Sequence, residues 1–321
     1  MAEAQEWNVV DLLKTTTGFL SGKGIDEARL SAELMLGHVL GLKRLDLYLN
    51  HERPVSPREL EAFRDCCRKR LQGMPVQYIA GEAFFYGNRF SVDERVLIPR
   101  PETELVLEHA LDRLASIPMQ EGEAPSILDI GTGSGCIAIT IALRLQGARL
   151  TAADVSADAL QVAEANARAL GVADRIRFVQ ADMLDEGFPG AVGGPFELVI
   201  SNPPYIPEGE WSGLQDEVRR FEPKLALVAP DGFEYYRSIA AMAPSLLRSG
   251  GLLCLELHAD AAEGVKELVD KEFVDIEVMQ DYSGLDRALS CVRSQGRAEK
   301  KMDVMDEEIM DGMDGMDNAT G

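Results

Sequence analysis

The chain has 321 residues, of which 46% are hydrophobic, 6% aromatic and 27% charged, a composition typical of a folded globular protein and not of a disordered or fibrous one. Its 54 acidic residues outnumber the 32 basic ones and give a net charge of −22, which disfavours a protein that binds nucleic acid through its phosphates. Because the N-terminus is acidic and no apolar stretch reaches about 18 residues, we expect neither a signal peptide nor a membrane span. Five cysteines without a CxxC spacing indicate the cytoplasm.

Residues 1–73 are predicted to form a small helical domain. Apolar residues recur at helical spacing from 9 to 20 and from 28 to 40. Ser56 and Pro57 then provide a helix cap and a proline at the first helical position, which predicts a third helix that ends near residue 71. No cluster of side chains suited to catalysis occurs in this part of the sequence.

Residues 74–100 differ in character and are predicted to be a linker. Aromatic residues between Phe84 and Phe90 surround a Gly87-Asn88 turn, and this pattern indicates a β-hairpin. The hairpin would connect the helical domain to the part of the chain that follows.

Between residues 101 and 296, apolar runs alternate with helical patterns, which predicts an α/β fold with a parallel sheet covered by helices on both faces. The predicted parallel strands are 126–130, 149–153, 176–179, 196–201 and 252–257. Two further strands, 274–279 and 289–292, are separated only by a turn at Ser283-Gly284, so we expect an antiparallel hairpin at one edge of the sheet.

The last residues, 297–321, are predicted to be a disordered tail. Five methionines alternate there with acidic residues, and isolated apolar side chains among charges bury little area. A tail that binds a metal or a partner is the alternative.

A glycine-rich turn follows the first predicted strand of the sheet, with the sequence Asp129-Ile130-Gly131-Thr132-Gly133-Ser134-Gly135. Glycines let the backbone turn sharply and approach a ligand closely, and the next helix offers free N–H groups at its start. The dinucleotide pattern G-x-G-x-x-G is not met, because Cys136 follows Gly135. The turn suits S-adenosylmethionine (SAM) better, whose ammonium Asp129 could attract. A tight turn without a ligand is the alternative.

Acidic residues also follow the next two strands. Asp154 ends the second strand, where an acid can accept both ribose hydroxyls, although it could instead serve the following helix as a cap. After the third strand, Asp182 could accept the adenine amino group and Met183 could line the ring. The signal from Asp182 is weaker, because an aspartate after a strand is common.

The most specific motif is Asn202-Pro203-Pro204-Tyr205, directly after the strand 196–201. The prolines remove two N–H donors, so the carbonyls of this loop are left to accept hydrogen bonds from a ligand. With the Asn202 side-chain carbonyl and the flat Tyr205 ring, the loop could hold a planar NH₂ group beside a methyl donor. Orientation is the help that a poorly nucleophilic amide nitrogen needs. A rigid structural turn is the alternative.

These motifs together resemble the PrmC/HemK family of release-factor glutamine N5-methyltransferases, over residues 7 to about 293. The glycine turn and Asn202–Tyr205 alone indicate only a SAM-dependent amino-group methyltransferase. Three further segments narrow the resemblance to this family: Gly73–Gly81, Phe84–Gly87 and Ile98–Glu104.

The resemblance implies a seven-stranded SAM-dependent methyltransferase domain of Rossmann-like fold, at 101–296, which follows a small N-terminal helical domain at 1–73. Because the helical domain has no chemistry of its own and a protein substrate needs contact area, we predict that it is a substrate-docking domain. The resemblance also implies methylation of the glutamine in the Gly-Gly-Gln motif of peptide chain release factors. The motifs and the resemblance together predict ten cofactor-binding residues: Asp129, Gly131, Thr132, Gly133, Ser134, Gly135, Asp154, Asp182, Met183 and Asn202. Asn202, Pro203, Pro204 and Tyr205 would bind the substrate, with Asn202, Pro203 and Tyr205 catalytic. Residues 100–103 would wall the site, or simply start a helix.

Two other functions compete with this interpretation. An adenine-N6 methyltransferase acting on DNA or RNA shares the catalytic loop, but it would need a basic face to receive a flipped base. A binding protein with the same fold but no activity would not need Asn202 and Tyr205. We expect no bound metal, because the four histidines form no ligand pattern, and we expect a monomer without direct nucleic-acid contacts.

Overall fold

The computed structural model describes residues 6–118 and 123–294, and the predicted tail at 297–321 lies outside these residues. Five helices lie in the described residues of the helical domain. They are α1 (Val9–Gly22), α2 (Ala28–Leu40), α3 (Arg44–Leu49), α4 (Pro57–Leu71) and α5 (Val76–Ala80). The short helices α3 and α5 were not predicted, since six and five residues are too few to show a helical period.

The start of α4 shows why the sequence folds here as predicted. The Ser56 hydroxyl accepts a hydrogen bond from the Glu59 N–H, and the Glu59 carboxylate accepts one from the Ser56 N–H at 2.8 Å. This reciprocal cap satisfies two N–H groups that the helix leaves free. Helix α5 lies past residue 73 but places Val76 and Ile79 in the core of the helical domain, so the contacts of this domain continue into the predicted linker.

The predicted hairpin is present as β1 (Glu82–Phe85) and β2 (Asn88–Ser91), which pair antiparallel. Phe85 and Phe90 face the main core, where their rings meet edge to face at 6.2 Å. The hairpin is therefore packed on the sheet domain rather than free between two domains.

The remaining described residues form a seven-stranded sheet covered by helices on both faces, which confirms the predicted α/β class. Its strands are β3 (Ser126–Ile130), β4 (Arg149–Asp154), β5 (Ile176–Gln180), β6 (Phe196–Ser201), β9 (Leu247–Glu256), β10 (Phe273–Gln280) and β11 (Asp286–Arg293). Two more strands, β7 (Ile206–Pro207) and β8 (Val228–Ala229), pair outside the main sheet. The covering helices are α6 (Pro101–Ala115), α7 (Cys136–Arg144), α8 (Ala157–Ala169), α9 (Phe188–Val192), α11 (Glu234–Leu246) and α12 (Ala262–Val269).

The strand order is β10-β11-β9-β6-β3-β4-β5. β11 is antiparallel to both of its neighbours, and β10 lies at the edge, as predicted for the final hairpin. The chain leaves β3 toward β4 on one side and reaches β6 on the other. Ligands of open α/β sheets bind where the strand order reverses in this way, outside the carboxyl ends of the strands. Every helix in the described part of the chain is too short or too polar to cross a membrane.

The segment between β6 and α11 was not predicted to have structure, yet it contains β7, α10 (Asp216–Phe221) and β8. It reaches the helical domain through an ion pair of Glu217 with the buried Arg70, at 2.6 Å. It also reaches the start of α6, where the buried Glu222 carboxylate accepts hydrogen bonds from Arg100 at 2.6 Å and from the Ile98 N–H at 3.2 Å. This segment, the excursion of residues 202–233, therefore ties the helical domain to the sheet domain.

Gly135, the residue before α7, combines a left-handed backbone with tight packing. Its φ is +81°, and an added Cβ would lie 2.8 Å from Ile139 Cδ1 and 3.1 Å from the Cβ of Ala163 in α8. Gly133 also has a positive φ, +55°, but an added Cβ would meet nothing within 4 Å.

We expect Gly135→Ala to lower the free energy of unfolding by about 2–4 kcal/mol, because backbone strain and overpacking add, and Gly133→Ala by only about 1–2 kcal/mol. Urea denaturation of both variants measures the difference, and equal losses would contradict the packing argument.

Candidate active site

A cavity of about 290 Å³ lies at the carboxyl ends of the central strands. The site residues predicted from the sequence that line it are Gly131, Thr132, Gly133, Ser134, Asp154, Asp182, Met183, Asn202 and Pro204. Most of the predicted site is thus brought together around one cavity, whose volume is near the lower end for small-molecule sites. Asp129, Gly135, Pro203 and Tyr205 do not line this cavity.

The glycine turn forms one wall of the cavity. Gly131 has a φ of +73°, and an added Cβ would lie 3.6 Å from Met183 Cε, so the turn is closely approached from the opposite wall. Gly133 donates its N–H to the Asp154 carboxylate at 2.9 Å, and Asp154 also accepts the Ser156 N–H. Asp154 therefore holds the turn in place while its side chain lines the cavity.

Asp129 lies behind the turn and is fully buried. Its Oδ2 accepts hydrogen bonds from the Thr132 hydroxyl at 2.6 Å and from the Ala138 N–H at 3.2 Å, so it links the turn to the start of α7. Its Oδ1 and the Ser134 hydroxyl are buried without a hydrogen-bond partner among the described residues. Burial raises the pKa of Asp129 to about 7. A direct contact of Asp129 with a ligand ammonium stays a prediction.

Asn166 of α8 connects the turn to the hairpin. Its side-chain N–H₂ group donates to the Ser134 carbonyl at 2.9 Å and to the Ser91 carbonyl at 3.0 Å. Its side-chain oxygen accepts the Ser91 N–H at 2.8 Å. One buried carboxamide thus binds the cavity wall and the end of β2 at the same time.

The Asn202–Tyr205 loop forms the wall facing the glycine turn. Its position follows from the pairing of β3 with β6, in which Ile130 lies beside Ser201, and the Ser201 hydroxyl donates to the Ile130 carbonyl at 2.7 Å. Within residues 6–118 and 123–294, nothing donates a backbone hydrogen bond to the carbonyls of Asn202, Pro203 and Pro204. The loop therefore presents unused acceptors, as its two prolines predicted.

A hydrogen-bonded group on the far side of this loop was not predicted from the sequence. It consists of Thr103, Glu256 and the loop's own Tyr205. Asn202 donates its Nδ2 to the Thr103 hydroxyl at 3.2 Å, and Thr103 donates to the Glu256 carboxylate at 2.7 Å. The Tyr205 hydroxyl donates to the other Glu256 oxygen at 3.2 Å. Thr103 also lines the cavity, which agrees with the expectation that residues 100–103 wall the site, and it lies in α6 as well.

Residues from the linker and the excursion complete the cavity. Val96, Leu97 and Pro99 contribute from the linker, and Pro223 and Leu225 from the excursion. Tyr235, in the first turn of α11, also lines it. None of these apolar residues was predicted from the sequence to line the site, although Pro99 lies within the Ile98–Glu104 segment that carries part of the family resemblance. In the part of the chain that the structure describes, no three His, Cys, Asp or Glu side chains are grouped to hold a metal ion.

Comparison with known proteins gives two family matches and closely similar full-length relatives. Residues 11–81 match the PrmC N-terminal domain family, and residues 108–215 match the Methyltransferase small domain family. The chain is 70% identical to the release factor glutamine methyltransferase of Chlorobaculum tepidum, over 91% of this chain and 99% of that protein. It is 37% identical to the protein of that name from Rhodopirellula baltica and 38% identical to the one from Bacillus subtilis, each over 88% of this chain and 96% of the relative.

The raised pKa of Asp129 predicts how stability depends on pH. The folded carboxyl has a pKa of about 7 and the free carboxyl one of 3.8, so between these values the folded state binds a proton that the unfolded state does not. The stabilising contribution of Asp129 to the free energy of unfolding is therefore complete below the pKa of the free carboxyl, 3.8, and is lost as the pH rises through the pKa of the folded carboxyl, about 7. Asp129→Asn keeps an acceptor for Thr132 but cannot titrate. Between about pH 6 and pH 8, the wild type should lose roughly 1 kcal/mol more than the variant in urea denaturation. An equal pH dependence of the two proteins would contradict this.

Proposed function

The chain belongs to the release factor glutamine methyltransferases, and we propose that it transfers a methyl group from SAM to the side-chain amide nitrogen, N5, of the glutamine in the Gly-Gly-Gln motif of peptide chain release factors. The identity of 70% over nearly the whole length of a relative so named supports this function. The seven-stranded sheet agrees with the predicted methyltransferase fold.

The observation that carries the proposal is the set of free acceptors on the Asn202–Pro204 loop. A glutamine amide has two N–H groups, and each must be accepted when the group leaves water. Asn202 directs its Nδ2 at Thr103, so its Oδ1 is the end left for a ligand. Together with the neighbouring carbonyls, it can hold a carboxamide by both N–H groups.

The residues around the glycine turn fit SAM. When bound, SAM supplies a methyl group attached to a positively charged sulfur. Two buried polar atoms without partners, Asp129 Oδ1 and the Ser134 hydroxyl, lie at the turn, and glycine at 131 keeps that wall open. We assign Gly131–Gly135 and Asp129 to the methionine part, Asp154 to the ribose, and Asp182 and Met183 to the adenine.

The chain itself contributes orientation and exclusion of water. The amide nitrogen is a weak nucleophile, so fixing its plane and direction is the main help available, and a strong general base is not needed before transfer. Pro203 and Pro204 are buried and make the loop rigid. The Tyr205 hydroxyl donates to Glu256, and the ring packs edge to face on His258 with the ring centroids 6.0 Å apart. Because Tyr205 does not line the cavity, its contact with the substrate amide stays a prediction.

The competing function, an adenine-N6 methyltransferase acting on DNA or RNA, is not favoured by the relatives, which are named for release factors. A net charge of −22 also opposes binding to nucleic-acid phosphates. A substrate from the translation machinery supports action in the cytoplasm. The monomeric state and the lack of nucleic-acid contacts stay predictions.

Asn202→Ala should lower kcat for release factor at least about tenfold, because it removes the acceptor for the amide, a loss worth about 1.4 kcal/mol in the barrier. Mass spectrometry of release factor incubated with SAM should find one added methyl group on one glutamine with the wild type. Gln280→Ala, an exposed amide in β10, is the control and should behave as the wild type. Labelled DNA with unmodified release factor would contradict the proposed function.

The helical domain is proposed to dock the release factor, supported by an apolar face of α3. Leu45 and Leu49 lie one turn apart and are each 70% exposed. Leu45→Asp with Leu49→Asp should raise KM for intact release factor at least about fivefold while leaving KM for a short glutamine peptide unchanged, because a buried apolar contact would be lost. Leu285→Asp, which changes an exposed leucine in the β10–β11 turn, is the control. A rise in KM for both substrates, or for neither, would contradict docking at α3.

A further inference from the structure

Glu256 is a buried carboxyl that has no place in the predicted site. It ends β9, is 2% exposed, and does not line the cavity. Both of its oxygens are used: one accepts from the Thr103 hydroxyl at 2.7 Å and the other from the Tyr205 hydroxyl at 3.2 Å. The carboxyl therefore joins the start of α6 to the far end of the substrate-binding loop.

The chemistry of these groups determines the direction of every hydrogen bond in the chain that leads to Asn202. An ionised carboxylate can only accept, so the single proton of the Thr103 hydroxyl must point at Glu256. The remaining lone pairs of that hydroxyl can then only accept, and the group within reach is the Asn202 carboxamide at 3.2 Å. Asn202 must present its N–H₂ to Thr103, and its oxygen is left for the cavity.

We propose that Glu256 is a positioning residue that acts through Thr103 to fix which end of the Asn202 carboxamide faces the cavity. This inference rests on the proposed function, in which Asn202 Oδ1 accepts the substrate amide. An asparagine side chain has two ends of nearly equal size, so packing alone does not select its orientation. The orientation is selected here by a carboxylate two hydrogen bonds away, and with the opposite orientation a donor would face the substrate donor.

The surroundings of Glu256 hold it in place and determine the pH range in which its carboxyl is ionised. Its backbone carbonyl accepts the Tyr236 hydroxyl of α11 at 2.9 Å, which fixes the end of β9. The pKa of the carboxyl is raised to about 7, chiefly by burial and in part by Glu102 of α6, against the lowering effect of Thr103, Tyr205 and Arg287 of β11. The directional argument therefore applies to the ionised form, and measurements belong at a pH well above this value.

Two substitutions interrupt the chain of hydrogen bonds with little change of shape. Glu256→Gln keeps only one carboxyl-type oxygen, and the Tyr205 hydroxyl needs it as the acceptor for its proton. The new N–H₂ group is then left for Thr103, whose hydroxyl accepts from Gln and donates instead to the Asn202 oxygen. Thr103→Val keeps the branched shape but removes the hydroxyl. Thr103→Ser restores it and should rescue activity. Ser290→Ala is the matched control, because Ser290 is buried in the neighbouring strand and also bonds α6, through His109 at 2.7 Å, without contacting the chain to Asn202.

The test measures kcat and KM for release factor with SAM saturating, together with the Kd of SAM by calorimetry. We expect Glu256→Gln and Thr103→Val each to lower kcat at least about tenfold, with the Kd of SAM changed by less than about twofold. Thr103→Ser and Ser290→Ala should stay within about threefold of the wild type. The kcat of the double variant Glu256→Gln, Thr103→Val should be no lower than that of the less active single variant, because both substitutions interrupt the same chain of hydrogen bonds to Asn202.

The outcomes separate this inference from the proposed function. If the wild type methylates release factor and Glu256→Gln and Thr103→Val keep its kcat, the positioning role is wrong and the function stands. If Ser290→Ala loses as much activity as they do, attachment of α6 is the cause and the positioning role is again wrong. If the wild type itself leaves release factor unmodified, the proposed function fails, and this inference fails with it.

Discussion

The whole site depends on the parallel pairing of β3 with β6. Ile130 and Ser201 lie side by side at the ends of these strands, and the Ser201 hydroxyl donates to the Ile130 carbonyl. The next residues in each chain segment are Gly131 and Asn202, so the glycine turn and the Asn202–Tyr205 loop face one another across the cavity. Since β4 and β5 lie between the two strands in the sequence, the turn and the loop are brought close by the strand order of the sheet and not by their distance in sequence.

Much of the sheet and its motifs could be predicted because they depend on local patterns. Apolar strands followed by helical periods predict the α/β class. The two prolines at 203–204 have no N–H to donate, so they predict a loop with free carbonyls without knowledge of the fold. Glu256 could not be found in this way. It stands at the end of an apolar strand, and its partners Thr103 and Tyr205 are 153 and 51 residues away in sequence, so nothing nearby indicates its role. Asp129 shows the opposite case: its position beside the turn was evident, but its burial behind the turn was not.

The excursion after Tyr205 changes how the two domains relate to the chemistry. Glu217 pairs with Arg70 of the helical domain, and Glu222 binds Arg100 and the Ile98 N–H just before α6. Pro223 and Leu225 of the same segment line the cavity. The helical domain is thus joined, through one segment, to the wall of the cavity and to the helix that carries Thr103.

Asn166 has a thermodynamic consequence for the protein as a whole. Its one carboxamide is divided between the Ser134 carbonyl of the glycine turn and both backbone groups of Ser91 at the end of the hairpin. If a bound cofactor makes that turn more ordered and these hydrogen bonds carry the order to the hairpin, reciprocity requires that ordering the hairpin strengthens cofactor binding by the same free energy. The hairpin would then be more than a spacer, because its order and the occupancy of the cavity would be thermodynamically linked.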